Sequence, residues 1–224
     1  MREGTALEDS LRPDRIVVGA WDEEAVSALR ECYRSILELG TPFLVLDVPT
    51  AELVKVAANA FLATKISFIN AMAEVSEAAG ADAVALANAI GYDERIGNKF
   101  LRTGIGFGGG CLPKDIRGFI ARADELGVGS AVDFLKDVDA INLRRRDRVV
   151  ALAKAELGEV SSKRVAMLGI SFKPDSDDLR DSPALEIALR LAKAGAVVTV
   201  HDPVSLDALA VSYTHLTLPT KRIV

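Results

Sequence analysis

Two short apolar runs, "DRIVVGA" at 14–20 and "FLVLDV" at 43–48, flank a stretch of helical periodicity at about 23–39. Runs of that length between turn signals read as buried strands, so the pattern predicts a strand–helix–strand unit. From Thr50 the period changes. "TAELVKVAANAFLATKISFINAMAEVSEAAG" has a cap residue at Thr50, a stop at Gly80 and no internal proline or glycine. A helix over 50–79 would be roughly 45 Å long. Its alanines and its apolar residues on nearly every side predict packing on several faces, as in a spine that joins domains or two copies of a chain.

A shorter helix is expected near 82–90, ending at Gly91, and two more near 113–126 and 130–156. The pattern then returns to α/β. "KRVAMLGISF" reads as a strand, and "SPALEIALRLAKAG" as a helix with Ser182 as cap, Pro183 in the first turn and Gly195 as stop. "AVVTVHDP" reads as a second strand. The expected fold class is α/β at both ends with an all-α middle. Two strands bury too little to stand alone, so we expect 1–48 to be the C-terminal remnant of a larger α/β domain. Residues 49–158 would be a helical central domain and 159–210 part of a second α/β domain. "VSYTHLTLPTKRIV" at 211–224 follows no helical period, and we expect it to be foreign sequence.

Composition changes this picture little. Half of the 224 residues are hydrophobic and 26% charged, an ordinary globular mix. A net charge of −5 gives no basic footprint for nucleic acid. The run Arg144, Arg145, Arg146 and Arg148 reads as a solvated helix face. Cys32 and Cys111 form neither a disulfide framework nor a metal-ligand spacing, which suits a reducing cytoplasm. We expect no signal peptide, and no apolar run of the length a membrane span needs.

The candidate chemistry lies in "GIGFGGGCLPKD" at 104–115. Gly104, Gly106 and Gly109 fit the spacing of a dinucleotide fingerprint, but that motif must leave a buried strand and open a helix. "RIGNKFLRT" before it is too polar for such a strand, and Lys114 lacks phosphate-loop spacing. A thiol-placing loop explains more. Pro113 suits the first turn of a helix, which puts Cys111 at its mouth, where free amides and the dipole favour a thiolate. A structural cysteine beside a flexible loop stays open as the alternative. Lys55 and Asn59 share a helix face at i,i+4 and could hold a substrate oxygen; a snorkelling lysine is the plainer reading. Asp115, one turn past Cys111, could orient water or the Lys55 ammonium, or simply favour the helix start. Arg95 and Lys173 are candidates for anionic groups.

The segments "REGTALEDS", "KVAANAFLATKISFINAMAEV", "DERIGNKFLRTGIGFGGGCLPKD" and "LGISFKPDSDDLRDSPALEIA" together resemble the UDP-glucose/GDP-mannose dehydrogenase family over roughly residues 2–205. The resemblance implies an N-terminal NAD-binding Rossmann domain, a central domain dimerising through its long helix (here 50–79), and a C-terminal UDP-binding domain. It implies two successive oxidations of a sugar C6 alcohol to a carboxylate through a cysteine thiohemiacetal and thioester. Cys111 resembles the nucleophile, Lys55 and Asn59 the oxyanion-stabilising pair, and Asp115 the orienting acid. Arg95 resembles an arginine that reaches the nucleotide sugar across the dimer. Glu3, Phe107, Gly108 and Lys173 look like substrate contacts, and Lys114 and Arg180 like cofactor contacts. "RIGNKFL" tilts the substrate toward UDP-glucose, ahead of UDP-N-acetylmannosamine or GDP-mannose. The family's first glutamate of the Glu3 segment and its glycine fingerprint for NAD are not matched, so we expect no turnover by this chain alone. A non-catalytic dimerisation module is the reading from another class. A cysteine hydrolase fails for want of a histidine base, since only His201 and His215 are present.

Overall fold

The computed structural model describes residues 6–174, 176–206 and 209, and it has α/β ends with an all-α middle. One compact unit ends at Ala58 and a second begins at Asn59. In the first, α1 (Ala6–Leu11) precedes β1 (Ile16–Gly19), which pairs in parallel with β2 (Phe43–Leu46), Ile16 opposite Phe43. Between the strands, Asp22 caps α2 (Glu23–Cys32) by accepting the Ala25 amide hydrogen at 2.8 Å. The single helix expected over 23–39 is broken. Tyr33, at φ −96° and ψ 12°, leaves helical geometry before α3 (Arg34–Leu37).

The long helix α4 (Val48–Ala79) starts two residues earlier than expected, and its cap is Asp47 rather than Thr50. Thr50 lies in the first turn, where its amide donates to Asp47 at 2.9 Å and its hydroxyl at 2.7 Å. The Thr50 amide bond is the main reason that the Asp47 carboxyl is held below its usual range. A carboxylate meets the helix's positive end better than a hydroxyl does, and Pro49 needs no partner for a missing N–H. From Ala60 onward α4 buries small residues: Ala60, Ala63, Ser67, Asn70, Ala73 and Ser76. They let neighbours approach closely, and Ser67 Oγ donates to the Val138 carbonyl at 2.7 Å. Contrary to expectation, α4 is long and apolar enough to cross a membrane by length and composition. Two of its acidic residues nevertheless engage protein: Glu74 and Glu77 pair with Arg144 and Arg148.

Arg144 and Arg148 stay about half-exposed in those pairs, and the solvated reading fails only for the middle of the arginine run. It lies on α7 (Phe134–Leu157), which follows α5 (Ala83–Gly91) and α6 (Leu112–Glu125). Arg146 is buried, and Arg145 is nearly so. The inner stripe of α7 runs Leu135, Val138, Asn142, Arg146, so a face that begins apolar ends in charge.

At the C-terminal side, β3 (Arg164–Leu168) and β4 (Val197–His201) pair in parallel and α8 (Pro183–Lys193) connects them. Ser182 caps α8 as expected: its Oγ accepts the Leu185 amide hydrogen at 3.2 Å and donates to the Ile170 carbonyl at 2.6 Å. Leu185, Ile187 and Leu191 of α8 pack with Ile170, Val198 and Val200. Each such buried aliphatic side chain contributes roughly 2 kcal/mol, which holds helix to sheet. Both strands are shorter than expected. Gly169, at φ +85°, turns the chain after Leu168. The amides of Ile170 and Ser171 then point to Asp202, which also takes the Val204 and Ser205 amides. Burial is the largest influence on Asp202 and pushes its carboxyl up, yet the four amides together outweigh it and hold the group at about 2.

Candidate active site

Cys111 is exposed and caps α6, with the Asp115 amide donating to its carbonyl at 2.9 Å to close the first turn. Asp115, one turn on, is 8% exposed. Its Oδ2 accepts from Asn59 Nδ2 at 2.7 Å, and its Oδ1 from the Lys114 ammonium at 2.9 Å. Asn59, Cys111, Lys114 and Asp115 therefore form one cluster at the mouth of α6. The Asp115 hydrogen bond, then its charge, raises the Lys114 ammonium above its ordinary value; Cys111 acts in the same direction and Arg180 against it. Lys55 stands four residues before Asn59 on α4, within the first compact unit.

The glycine run is not a slack connector, because protein packs closely beside it. Gly106 adopts φ +101°, and a Cβ there would stand 2.5 Å from Asn142 Oδ1. At Gly108 a Cβ would overlap the Asp181 carbonyl oxygen. At Gly109 it would meet the Phe172 ring at 2.5 Å, and at Gly110 the Arg180 guanidinium at 2.7 Å. The Gly109 amide donates to the Arg180 carbonyl at 2.9 Å. Glycine is required here for close approach.

On its other side the run is clasped by helices. Asn142 bonds both backbone groups of Phe107, at 2.7 and 3.0 Å. Asn70 of α4 accepts the Gly104 amide hydrogen at 2.8 Å, and Arg145 Nε donates to the Gly104 carbonyl at 3.0 Å. Sequence reasoning missed Asn70, Asn142, Arg146 and Asp181. The available signal was the polar pair Asn142 and Arg146 continuing the apolar stripe of α7 at helical spacing.

The remaining candidates fall into place around this cluster or outside it. The Phe107 ring is 6% exposed and packs with Ala60, Ala63, Ile116 and Leu135, so it anchors the loop from within the core. Gly108 faces Asp181. Lys173 sits with its ammonium 5.4 Å from the Phe172 ring centroid, on the segment that covers Gly109. Arg180 bonds Asp178 through Nε and Nη2. Arg95 is exposed and forks onto Asp93 of its own loop, whose hydrogen bond raises the guanidinium above its ordinary value. Glu3, His215 and the 211–224 segment lie outside the described residues. A cavity of about 520 Å³ lies elsewhere, lined by Glu74, Glu77, Arg144, Asp147 and Arg148.

Comparison with known proteins gives this geometry a family. Residues 49–144 match the central domain of the UDP-glucose/GDP-mannose dehydrogenase family, and 166–221 its UDP binding domain. A UDP-glucose 6-dehydrogenase of Bacillus subtilis is 42% identical over 207 residues, 92% of this chain and 46% of that protein. One from Rickettsia typhi is 42% identical over 208 residues, covering 92% of this chain and 48% of its own length. A solved UDP-glucose dehydrogenase from the archaeon Pyrobaculum islandicum superposes with a TM-score of 0.92 at 41% identity, covering 99% of this chain and 50% of that one. The chain thus spans about half the length of the relatives it matches. The thiol loop lies inside the central-domain match, and the segment packed on its glycines inside the UDP-binding match, so the chain belongs to the UDP-glucose/GDP-mannose dehydrogenase family.

Proposed function

We propose that this chain carries the thiol site of an NAD-dependent UDP-glucose 6-dehydrogenase, which takes the sugar C6 alcohol to a carboxylate. The observation that carries the reading is the bond from Asn59 to buried Asp115, one turn inside the helix that Cys111 caps. After the first hydride loss leaves an aldehyde, the Cys111 sulfur adds to its carbon and the carbonyl π pair moves to oxygen. The second hydride loss restores the carbonyl as a thioester. Water then adds, the carbon–sulfur bond breaks, and the carboxylate leaves with the thiol regenerated.

An amide nitrogen carries two hydrogens; with one given to Asp115, the other is the hydrogen we assign to the oxyanion, and Lys55 is assigned the same task. Asp115 orients the hydrolytic water. Lys114 and Arg180 fit a dinucleotide diphosphate, since both extend exposed cationic side chains beside Gly110 and Cys111. NAD, when bound, would supply the hydride acceptor, one molecule for each of the two oxidations. Lys173, the backbone around Gly108, Glu3 and a second copy's Arg95 would hold the nucleotide sugar. UDP-N-acetylmannosamine and GDP-mannose are the alternative substrates.

We also read the assembly as a homodimer formed by α4 of two copies. Phe61, Phe68 and Val75 repeat every seven residues along α4 and are 66%, 49% and 58% exposed. The free, exposed Cys32 and Cys111 suit a cytoplasmic setting.

The experiment is alkylation of the chain with iodoacetamide, read at each cysteine by mass spectrometry. UDP-glucose should slow reaction at Cys111 and leave Cys32 unchanged; equal rates with and without millimolar UDP-glucose would overturn the reading. NADH formation from UDP-glucose and NAD by this chain alone should be undetectable, and a rate comparable to a full-length relative would refute that expectation.

A further inference from the structure

Arg146 has a side chain only 1% exposed, and it ends the buried stripe of α7 that begins with Leu135 and Val138. A buried charge is tolerated only when paired and hydrogen-bonded. Its guanidinium meets three separate pieces of chain. Nη2 donates to Asp181 Oδ1 at 2.9 Å and, more loosely, to the Asp181 carbonyl at 3.4 Å and the Phe107 carbonyl at 3.5 Å. Nη1 pairs with Glu186 of α8.

Asp181 is itself unusual. It is one of three non-glycine residues with positive φ among those described, at +48°, a conformation costing on the order of 1 kcal/mol unless its surroundings impose it. Its carboxylate is shared with Arg117 of α6, at 3.7 Å, and Arg117 is anchored in turn by Asp139 of α7. The backbone of Arg180 and Asp181 is the wall on which Gly108 and Gly109 lie. Arg146 therefore bolts the wall to α7 and touches the carbonyl of Phe107, four residues before the thiol.

We propose that Arg146 is a positioning residue for Cys111: by holding Asp181 and Phe107 together, it sets where the glycine loop delivers the sulfur at the mouth of α6. Stability alone is a poor explanation for it, because a well-packed apolar side chain in place of a buried ion pair is often neutral or stabilising. What a planar fork adds is direction: two carboxylates and a loop carbonyl are held in one fixed arrangement. The inference extends the reading of Cys111 as nucleophile, and its test separates the two.

The test compares Arg146→Met, Arg146→Lys and Asp181→Asn in the 224-residue chain. It measures the ratio of Cys111 to Cys32 alkylation rates, the melting temperature, and amide hydrogen exchange. Arg146→Met should lower the ratio by about tenfold. Arg146→Lys, which keeps a cation between the carboxylates, should hold the melting temperature close to that of the unmodified chain but leave the ratio low because the fork is gone. Asp181→Asn should lower the ratio too, and adding it to Arg146→Lys should cause little further loss. A ratio that follows melting temperature through the series, or stays constant in folded variants, overturns the proposal. Should Arg146→Met fail to fold, the other two variants decide. If Cys111 is no faster than Cys32 in the unmodified chain, the nucleophile reading falls, and the Phe107 and Gly109 amides judge positioning by themselves. Exchange there about tenfold faster in Asp181→Asn, with Val198 and Val200 unchanged, supports it; unchanged exchange at Phe107 and Gly109 overturns it.

Discussion

Asn142 holds Phe107 by both of its backbone groups, Oδ1 accepting the amide hydrogen at 2.7 Å and Nδ2 donating to the carbonyl at 3.0 Å. A side-chain amide here does what a neighbouring strand does elsewhere, satisfying a buried peptide that belongs to no sheet. With the Phe107 ring in the core below it, the glycine run gains a fixed point. The loop is ordered by its neighbours and not by its own propensity.

Gly106→Ala tests that fixed point. The substitution forces a Cβ onto φ +101° and places it 2.5 Å from the same Asn142 Oδ1. The expected loss is about 2 kcal/mol, from the backbone strain and a disturbed clasp. Urea unfolding measures it, and a variant as stable as the starting chain would show that the clasp is dispensable.

Asn59→Ala removes one hydrogen-bond donor from the buried Asp115 carboxylate. We expect a stability loss of about 1–2 kcal/mol. The double variant with Asp115→Ala should cost clearly less than the two single losses added, because the contact is already gone. Additive losses in chemical denaturation would mean that the two side chains do not act on each other.

Acid should unfold the C-terminal sheet through Asp202. Its carboxyl is lowered from the usual 3.8 to about 2 in the folded chain. A depressed folded value means that its contribution is complete above the unfolded value and disappears as pH falls through the folded one. Stability should therefore drop by about 2 kcal/mol between pH 4 and pH 2. Asp202→Asn should be less stable at neutral pH and show a shallower decline over that window. Circular dichroism during acid titration reads both, and parallel curves for the two chains would assign the decline to other carboxyls.

Self-association through α4 should be sensitive to one residue. Phe68 lies mid-stripe between Phe61 and Val75, and Phe68→Glu sets two carboxylates against an apolar seam in a symmetric pair. Sedimentation velocity should show dimer for the starting chain and monomer for the variant at micromolar concentration. A monomeric starting chain, or a dimer that tolerates the charge, would remove α4 as the interface.

Much of this was legible from local chemistry. The cap Ser182, the stops at Gly80 and Gly91 and the thiol at the mouth of α6 follow from residue types acting on their immediate neighbours. Thr50 misled for the same reason: two cap residues three positions apart compete, and Asp47, which directly follows β2, accepts the Thr50 amide hydrogen. The arginine run misled because charge in one dimension says nothing about which helix face lies beneath a loop. Arg146 is buried, and Arg144 two residues away is exposed.

By itself the sequence determined the alternation of α/β and helical segments, the spine, and a cysteine placed to cap a helix, because periodicity and capping are short-range effects. Only the tertiary structure decided why the thiol loop is rich in glycine. Its backbone is pressed between Asn142 on one helix and the Phe172–Asp181 segment on another part of the chain. Steric closeness between residues some 35 to 75 positions apart leaves no periodic trace along the chain, so packing had to supply it.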